Sequence, residues 1–327
     1  MRNLMILFSL IFLMSCDGKQ VEKVDDAFGL VNEQVIYAAF SADSQSVLLY
    51  TQSKNLELWD LSSRTKRMQL EFSQIGEVAR AFLLTHQKTK IVVGGEQRLS
   101  FWSVETGQLE QYFTLSGADP LARIASIAMS PNDEYLSVGM TDGSIVLISF
   151  KDKSQRLFKP HSSEVAYLIW DADSRRVMSA GFDGVVSTWL FSDATVLSEF
   201  HVEKRVTTLA ATKTLDTAFV SDALHDQRYF DVRSGHIKTT LSYPERFRWF
   251  REGLLLEERP YIVTTSSKSK LSIWSKETGK ELGSWFINAS GGEALVLDII
   301  EEKPGTIITV SSDGIIERWQ VDALVQE

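Results

Sequence analysis

One cysteine, Cys16, occurs in 327 residues, so no disulfide can close within the chain. Five histidines are scattered, and no Cys/His spacing suits a metal ion. Positive charge is in deficit: 34 Lys and Arg against 43 Asp and Glu give a net charge of −9 and a pI near 5.2. Such a surface repels a phosphate backbone, which argues against a nucleic-acid partner. Gly94-Gly95 and Gly291-Gly292 lack the spacing of a phosphate loop, and no Gly-x-Ser-x-Gly elbow is present. Asp171-x-Asp173 begins like a calcium loop, but Arg176 stands at its sixth position and Phe182 at its twelfth. The pairs Asp25-Asp26, Glu257-Glu258 and Glu301-Glu302 are adjacent, so on a strand they point to opposite faces and read as solvated charge. No metal or cofactor is expected, and no enzymatic activity. Sustained helical periodicity is also missing beyond residue 24.

What is present is a globular composition, 44% apolar and 24% charged, on a chain long enough to bury a large core. The first residues stand apart. Met1-Arg2-Asn3 precedes Leu4–Met14, an apolar run broken only by Ser9. Its 11 positions fall short of the roughly 20 a spanning helix needs, so residues 1–15 read as a signal peptide. The run ends in Leu13-Met14-Ser15-Cys16, which resembles the bacterial lipobox. The resemblance implies a lipid on Cys16, and multiple acyl chains at ~0.8 kcal/mol per buried CH₂ make a firm anchor. Asp17 resembles the signal that retains lipoproteins in the inner membrane; the outer membrane is the alternative. Residues 16–24 read as a polar tether, and removing Arg2 with the signal leaves a charge of −10 (33 basic, 43 acidic).

The rest of the chain repeats. Seven apolar stretches end at positions 59, 102, 148, 189, 230, 274 and 319, spaced by 43, 46, 41, 41, 44 and 45 residues. Five end in Trp; Ile148 and Phe230 replace it in the third and fifth. Asp142-Gly143, Asp183-Gly184 and Asp313-Gly314 place a tight hairpin five residues before three of these positions. Turn clusters precede them at Ser41–Ser44, Ser130–Asp133 and Asp171–Ser174, and follow them at Glu105–Gly107, Arg233–Gly235 and Glu277–Gly279. Each unit therefore reads as four strands and three turns. In the fourth, the strands are expected at Glu164–Trp170, Arg176–Gly181, Val185–Phe191 and Thr195–His201. The start of the sixth unit's first strand is not fixed by this pattern.

A period near 40–45 residues with these features resembles the WD40 repeat. Pro160 to Trp189 carries the likeness most fully: His161 matches the family's Gly-His histidine, Asp171-Ala172-Asp173-Ser174 resembles its turn, and Trp189-Leu190 stands in place of its Trp-Asp dipeptide. Only Trp59-Asp60 keeps that dipeptide literally. The resemblance implies an all-β, seven-bladed propeller over residues 25–327, its last blade completed by an N-terminal strand. Ala27–Val31 is the candidate, because Gln320–Glu327 is too short for a full strand and turn. Closure would remove sheet edges that invite aggregation.

His161, Ser179 and Asp183 are also the residue types of a nucleophilic triad. The resemblance assigns them instead, with Trp189, to a structural hydrogen-bonded tetrad. It further implies a monomeric platform for a protein or peptide partner. Phe182, His225, Tyr243, Arg246 and Lys268 fall in loops of one face and are the candidate contacts. The basic-aromatic stretch 246–251 reads either as an alternating strand or as a partner-binding edge. The expected function is an interaction scaffold or assembly factor tethered to the bacterial envelope and facing the periplasm. The alternatives are a small-ligand or glycan sensor, marked by a pocket in the central channel, or an enzyme.

Overall fold

The computed structural model describes residues 26–242, 248–267, 269–287 and 294–325. A short strand, β1 (Ala27–Gly29), comes first. Blade 1 is β2 (Val35–Phe40), β3 (Ser46–Thr51), β4 (Leu56–Asp60) and β5 (Thr65–Leu70), followed by the single-turn α1 (Phe72–Ile75). Blade 2 is β6 (Ala81–Leu84), β7 (Lys90–Gly94), β8 (Arg98–Ser103) and β9 (Leu109–Thr114); blade 3 is β10 (Ile124–Met129), β11 (Tyr135–Met140), β12 (Ile145–Ser149) and β13 (Ser154–Phe158). Blade 4 is β14 (Val165–Trp170), β15 (Arg176–Gly181), β16 (Val185–Leu190) and β17 (Val196–His201), within a residue of the strands expected from sequence. Blade 5 is β18 (Val206–Ala211), β19 (Thr217–Asp222), β20 (Gln227–Asp231) and β21 (Ile237–Thr240); blade 6 is β22 (Phe250–Leu255), β23 (Tyr261–Ser266), β24 (Lys270–Ser275) and β25 (Glu281–Phe286). Blade 7 is β26 (Val296–Lys303), β27 (Thr306–Ser311) and β28 (Ile315–Gln320), after which the chain makes one helical turn, α2 (Val321–Leu324).

Each blade is a four-stranded antiparallel meander, and the fourth strand of blade 7 is β1, paired to β28 with Phe28 opposite Ile316. The protein is therefore a seven-bladed β-propeller closed by its N-terminal strand. That strand is three residues long, shorter than the five the sequence suggested: the chain bends at Leu30, whose backbone N–H still donates to Gly314 O.

The repeated Trp position explains how the blades stack. Trp102 packs in a cluster with Leu58 and Met68 of blade 1, Trp189 with Ile145 and Leu147 of blade 3, and Trp319 with Ile273 and Trp285 of blade 6. Each ring thus fills the gap to the preceding blade, and fully burying a side chain of this size contributes on the order of 3 kcal/mol. Phe230 does the same work in blade 5 by stacking on Phe200 of blade 4 at 4.0 Å.

Two glycines show why the Asp-Gly hairpins need glycine. A Cβ on Gly143 would lie 2.2 Å from His161 O, and one on Gly184 2.6 Å from Val202 O, so these turns press against the connection into the next blade. Both also have positive φ.

Candidate partner-binding face

A meander places the loop between its second and third strands at the same end as the connection between blades. These segments form one face, here the loop face; the other turns form the opposite face. The large apolar side chains that remain exposed are distributed unevenly between them. Phe72 and Val78 lie on the connection from blade 1 to blade 2, Leu121 on the next, Phe182 and Leu224 on the inner loops of blades 4 and 5, and Trp249 just before β22. Ile36 and Tyr37 add to them at the start of β2. The other exposed large apolar residues sit on the outermost strands, and among the described residues none lies on the turns of the opposite face.

Phe182 is held by a backbone hydrogen bond from its N–H to Glu164 O, and the Arg205 guanidinium lies 5.6 Å from its ring centroid. In blade 5, the Asp222 carboxylate replaces an Asp-Gly hairpin. One oxygen accepts from the N–H groups of Leu224, His225 and Asp226 at 2.8–2.9 Å, and the other from Lys204 N at 3.0 Å. This frame presents His225, whose side chain is 69% exposed and 4.0 Å from Glu203. Phe182 and His225 are thus on one face, in neighbouring blades. Tyr243, Arg246 and Lys268 lie outside the described residues, as do Cys16 and Asp17.

The stretch 246–251 does not present its arginines as one edge. Arg248 is buried: it donates to both Glu281 carboxylate oxygens at 2.7 and 3.0 Å, bonds the Ser272 hydroxyl and lies 5.2 Å from the Trp274 ring centroid. Burial alone would raise the Glu281 carboxyl, but the bonds from Arg248 and Ser272 outweigh it and hold the group below its ordinary value. Phe250 is buried, whereas Trp249 and Arg251 are exposed. Alternation, not composition, decides which side chains reach a partner.

Under the loop face of blade 4, His161, Ser179, Asp183 and Trp189 form a continuous hydrogen-bonded chain. Trp189 Nε1–H donates to Ser179 Oγ at 3.1 Å, the Ser179 hydroxyl to His161 Nε2 at 2.8 Å, and His161 Nδ1–H to the Asp183 carboxylate at 3.2 Å. The carboxylate at Nδ1 holds a proton there, and the neutral imidazole then accepts from Ser179 at Nε2. Burial lowers the His161 pKa, and Asp183 only partly offsets this. Ser, His and Asp therefore stand in the linear order of a triad, but Ser179 is fully buried and Trp189 occupies its oxygen. No substrate carbonyl can approach. Fragments of the same chain recur where Trp274 donates to Thr264 and Trp319 to Thr309, each pair ten residues apart like Trp189 and Ser179. A hydroxyl ten positions before the Trp was the signal for these.

The sequence reading also passed over two acids on the innermost strands. The pairing of β22 with β23 and of β26 with β27 shifts register at Phe250/Gly253 and Val296/Asp298, bulges that re-aim Glu252 and Asp298. Burial pushes the Glu252 carboxyl up to about 8, with the Asp298 charge adding to it. Asp298 is raised by burial to about 6, although Phe40 N and Ile299 N both donate to it at 2.7 Å. Among the described residues no group of three or more His, Cys, Asp or Glu is placed to hold a metal ion.

Fold, blade packing and the buried blade 4 chain define a WD40-like propeller. Residues 152–189 match the WD domain, G-beta repeat family. Along most of its length the chain is similar to the WD repeat-containing protein 26 homolog of Arabidopsis thaliana, 20% identical over 90% of this chain and 50% of that protein. It is also similar to the U3 small nucleolar RNA-associated protein 21 of Saccharomyces cerevisiae (24% identical, 74% and 28%) and to Protein groucho of Drosophila melanogaster (21% identical, 85% and 38%). The chain spans half or less of the length of these relatives.

Proposed function

We propose that this propeller is a protein-interaction scaffold, held by a lipid on Cys16 at a bacterial membrane, that presents its loop face to a protein or peptide partner. The asymmetry of exposed apolar side chains carries the reading. Exposed aromatics on a rigid frame are the anchors interfaces use, and they collect on one face while the opposite turns carry none among the described residues. Phe182, backed by Arg205, and Trp249 are the central anchors. The lipid rests on the lipobox-like Leu13-Met14-Ser15-Cys16, and the acidic balance fits a protein rather than a nucleic-acid partner. The sealed Ser179 supports binding over hydrolysis.

Crosslinking and pull-down of the lipidated protein tests both parts. Partners captured by the native chain should be lost from a Phe182→Ala/Trp249→Ala variant and kept by Tyr112→Ala on the outermost strand β9. Equal capture by all three would overturn the assignment of the face. Cys16→Ser should move the protein from the membrane to the soluble fraction; retention at the membrane would overturn the anchor.

A further inference from the structure

Blade 3 carries Ile148 where five blades carry Trp, and the effect shows when two successive blade boundaries are compared. Between blades 3 and 4, Trp189 is fully buried and meets Phe158 edge-on at 5.3 Å. Trp170 stacks on Tyr135 at 6.1 Å, and Phe191 closes on both rings at 4.9 and 4.7 Å. Arg156 reaches across from β13 and donates to the backbone oxygens of Phe191 and Ser192 at 2.5 and 2.6 Å.

The register assigns the matching positions between blades 2 and 3. Ile148 replaces Trp189, Met129 replaces Trp170, Lys90 replaces Tyr135 and Gln111 replaces Arg156. Two indoles, a phenol ring and the guanidinium bridge are all absent. Phe113 and Phe150 turn edge-on to Phe101 instead, at 5.9 and 5.5 Å.

The result is a cleft of about 560 Å³ with Phe101, Met129 and Ile148 as its floor and Phe113 and Phe150 as walls. A depression of the same volume between blades 3 and 4 is lined by Tyr135, Leu190 and Phe191 together with Asp152, Arg156, Arg175 and four serines, so there two arginines share the lining with the aromatic rings. At the rim of the first cleft, Gln111 and Gln155 are exposed, as is Lys153, which makes no ion pair among the described residues. Lys90 is already committed to Glu110 at 2.5 Å, and Asp133 to His86 and Gln87. A pocket of this size, with five apolar side chains grouped below a polar rim, has the dimensions of a ligand site.

We propose that the cleft between blades 2 and 3 binds an aromatic carboxylic acid, its ring on Phe101, Phe113 and Ile148 and its carboxylate at Lys153. The volume of the cleft and the rings along its sides admit a planar aromatic group over the apolar floor. Lys153 lines the same cleft and supplies a cation for an acid substituent. The same chemistry is offered by a free aromatic acid and by a peptide ending in tryptophan.

The test is calorimetric titration of the full chain with indole-3-propionate and with a short peptide carrying a C-terminal Trp, each beside its carboxamide. Saturable binding of either acid, with its amide at least about tenfold weaker, is the expected result. Binding by the small acid alone identifies a free ligand; binding by the peptide alone identifies a chain terminus. Lys153→Ala should erase the preference for acid over amide. Ile148→Trp restores the residue the other blades carry, so it should abolish binding without lowering the melting temperature. Gln111→Arg, at an exposed site, should weaken binding at least about tenfold by rebuilding the bridge, and serves if Ile148→Trp fails to fold. Absence of saturable binding to every probe, or binding unchanged in the folded cleft variants, would overturn the proposal.

Discussion

The guanidinium of Arg318 lies 3.0 Å from the carboxylate of Asp26, joining positions 292 residues apart. Between them Phe28 is flanked by two cations, with Arg64 at 4.1 Å and Arg318 at 5.8 Å from its ring centroid. This small cluster flanks the β1–β28 pairing that closes the ring. The Arg318–Asp26 pair is partly exposed, so Asp26→Ala should cost no more than about 1 kcal/mol. Removing everything through Leu30 is expected to do far more: it strips β1 from β28 and leaves a bare strand edge. Thermal melts should separate the two variants clearly, and size-exclusion chromatography should show self-association of the truncated chain only.

The chain from Trp189 to Asp183 passes through one imidazole, so His161→Ala leaves Ser179 and Asp183 without their shared partner. The expected cost is about 3 kcal/mol, from the unpaired polar groups and the cavity together. The pH dependence has a definite sign. The folded pKa of His161 lies below its ordinary value, so below that ordinary value the unfolded chain takes up a proton that the folded one refuses. His161 thus supports stability above about pH 6.5, and that support falls as the pH drops below it. In His161→Ala this component of the acid-side slope should vanish; an identical slope in both proteins would contradict the buried neutral imidazole.

Gly181 tests the packing of the same group without touching its chemistry. A Cβ there would stand 2.8 Å from Asp183 Oδ1 and 3.1 Å from His161 Nδ1, with Glu164 O at 3.0 Å. Gly181→Ala should therefore destabilise, by roughly 1–3 kcal/mol, despite replacing glycine within a strand, where alanine is ordinarily the better residue. Urea unfolding at neutral pH measures it.

Glu252 and Asp298 carry the opposite pH signature. Their folded pKa values are raised to about 8 and about 6, so over the range up to those values the folded protein holds protons that the unfolded chain has lost. Stability should fall as pH rises from about 4 to about 8 on their account. Arg251 partly counters this at Glu252, whereas the Asp298 charge adds to it. Glu252→Gln keeps the shape and removes the titration. It should raise the melting temperature at about pH 8.5 and leave it unchanged near pH 4. A melting temperature lowered by the substitution at high pH would rule out the strained carboxylate.

Much of the fold was legible because seven copies of one weak pattern share a register. Trp59, Trp102, Trp189, Trp274 and Trp319 mark the third strand of five blades, and Ile148 and Phe230 could be placed by spacing alone. Asp142-Gly143 and Asp183-Gly184 were readable as hairpins because the turn conformation selects their residues. Function was less legible, since exposure depends on what a neighbouring blade covers. Arg248 and Trp249 are adjacent and equally unusual in composition, yet one is buried against Glu281 and the other faces solvent. Leu121, on a long connection between blades, carried no repeat signal at all. The blade 2/3 cleft needs four boundary positions compared at once, Lys90, Gln111, Met129 and Ile148, and those positions are far apart in sequence.

The way β1 completes blade 7 has a mechanical consequence. The strand that shuts the ring is also the one nearest the chain's N-terminus, and it is held by three paired residues at the outer rim. Tension on the segment preceding Asp26 would be borne first by this latch and by the Asp26–Arg318 contact. It would peel the strand before loading any other blade. If the chain is tethered through that segment, the tether and the lock are one piece, and a pull strong enough to free the lock would convert a closed ring into an open arc.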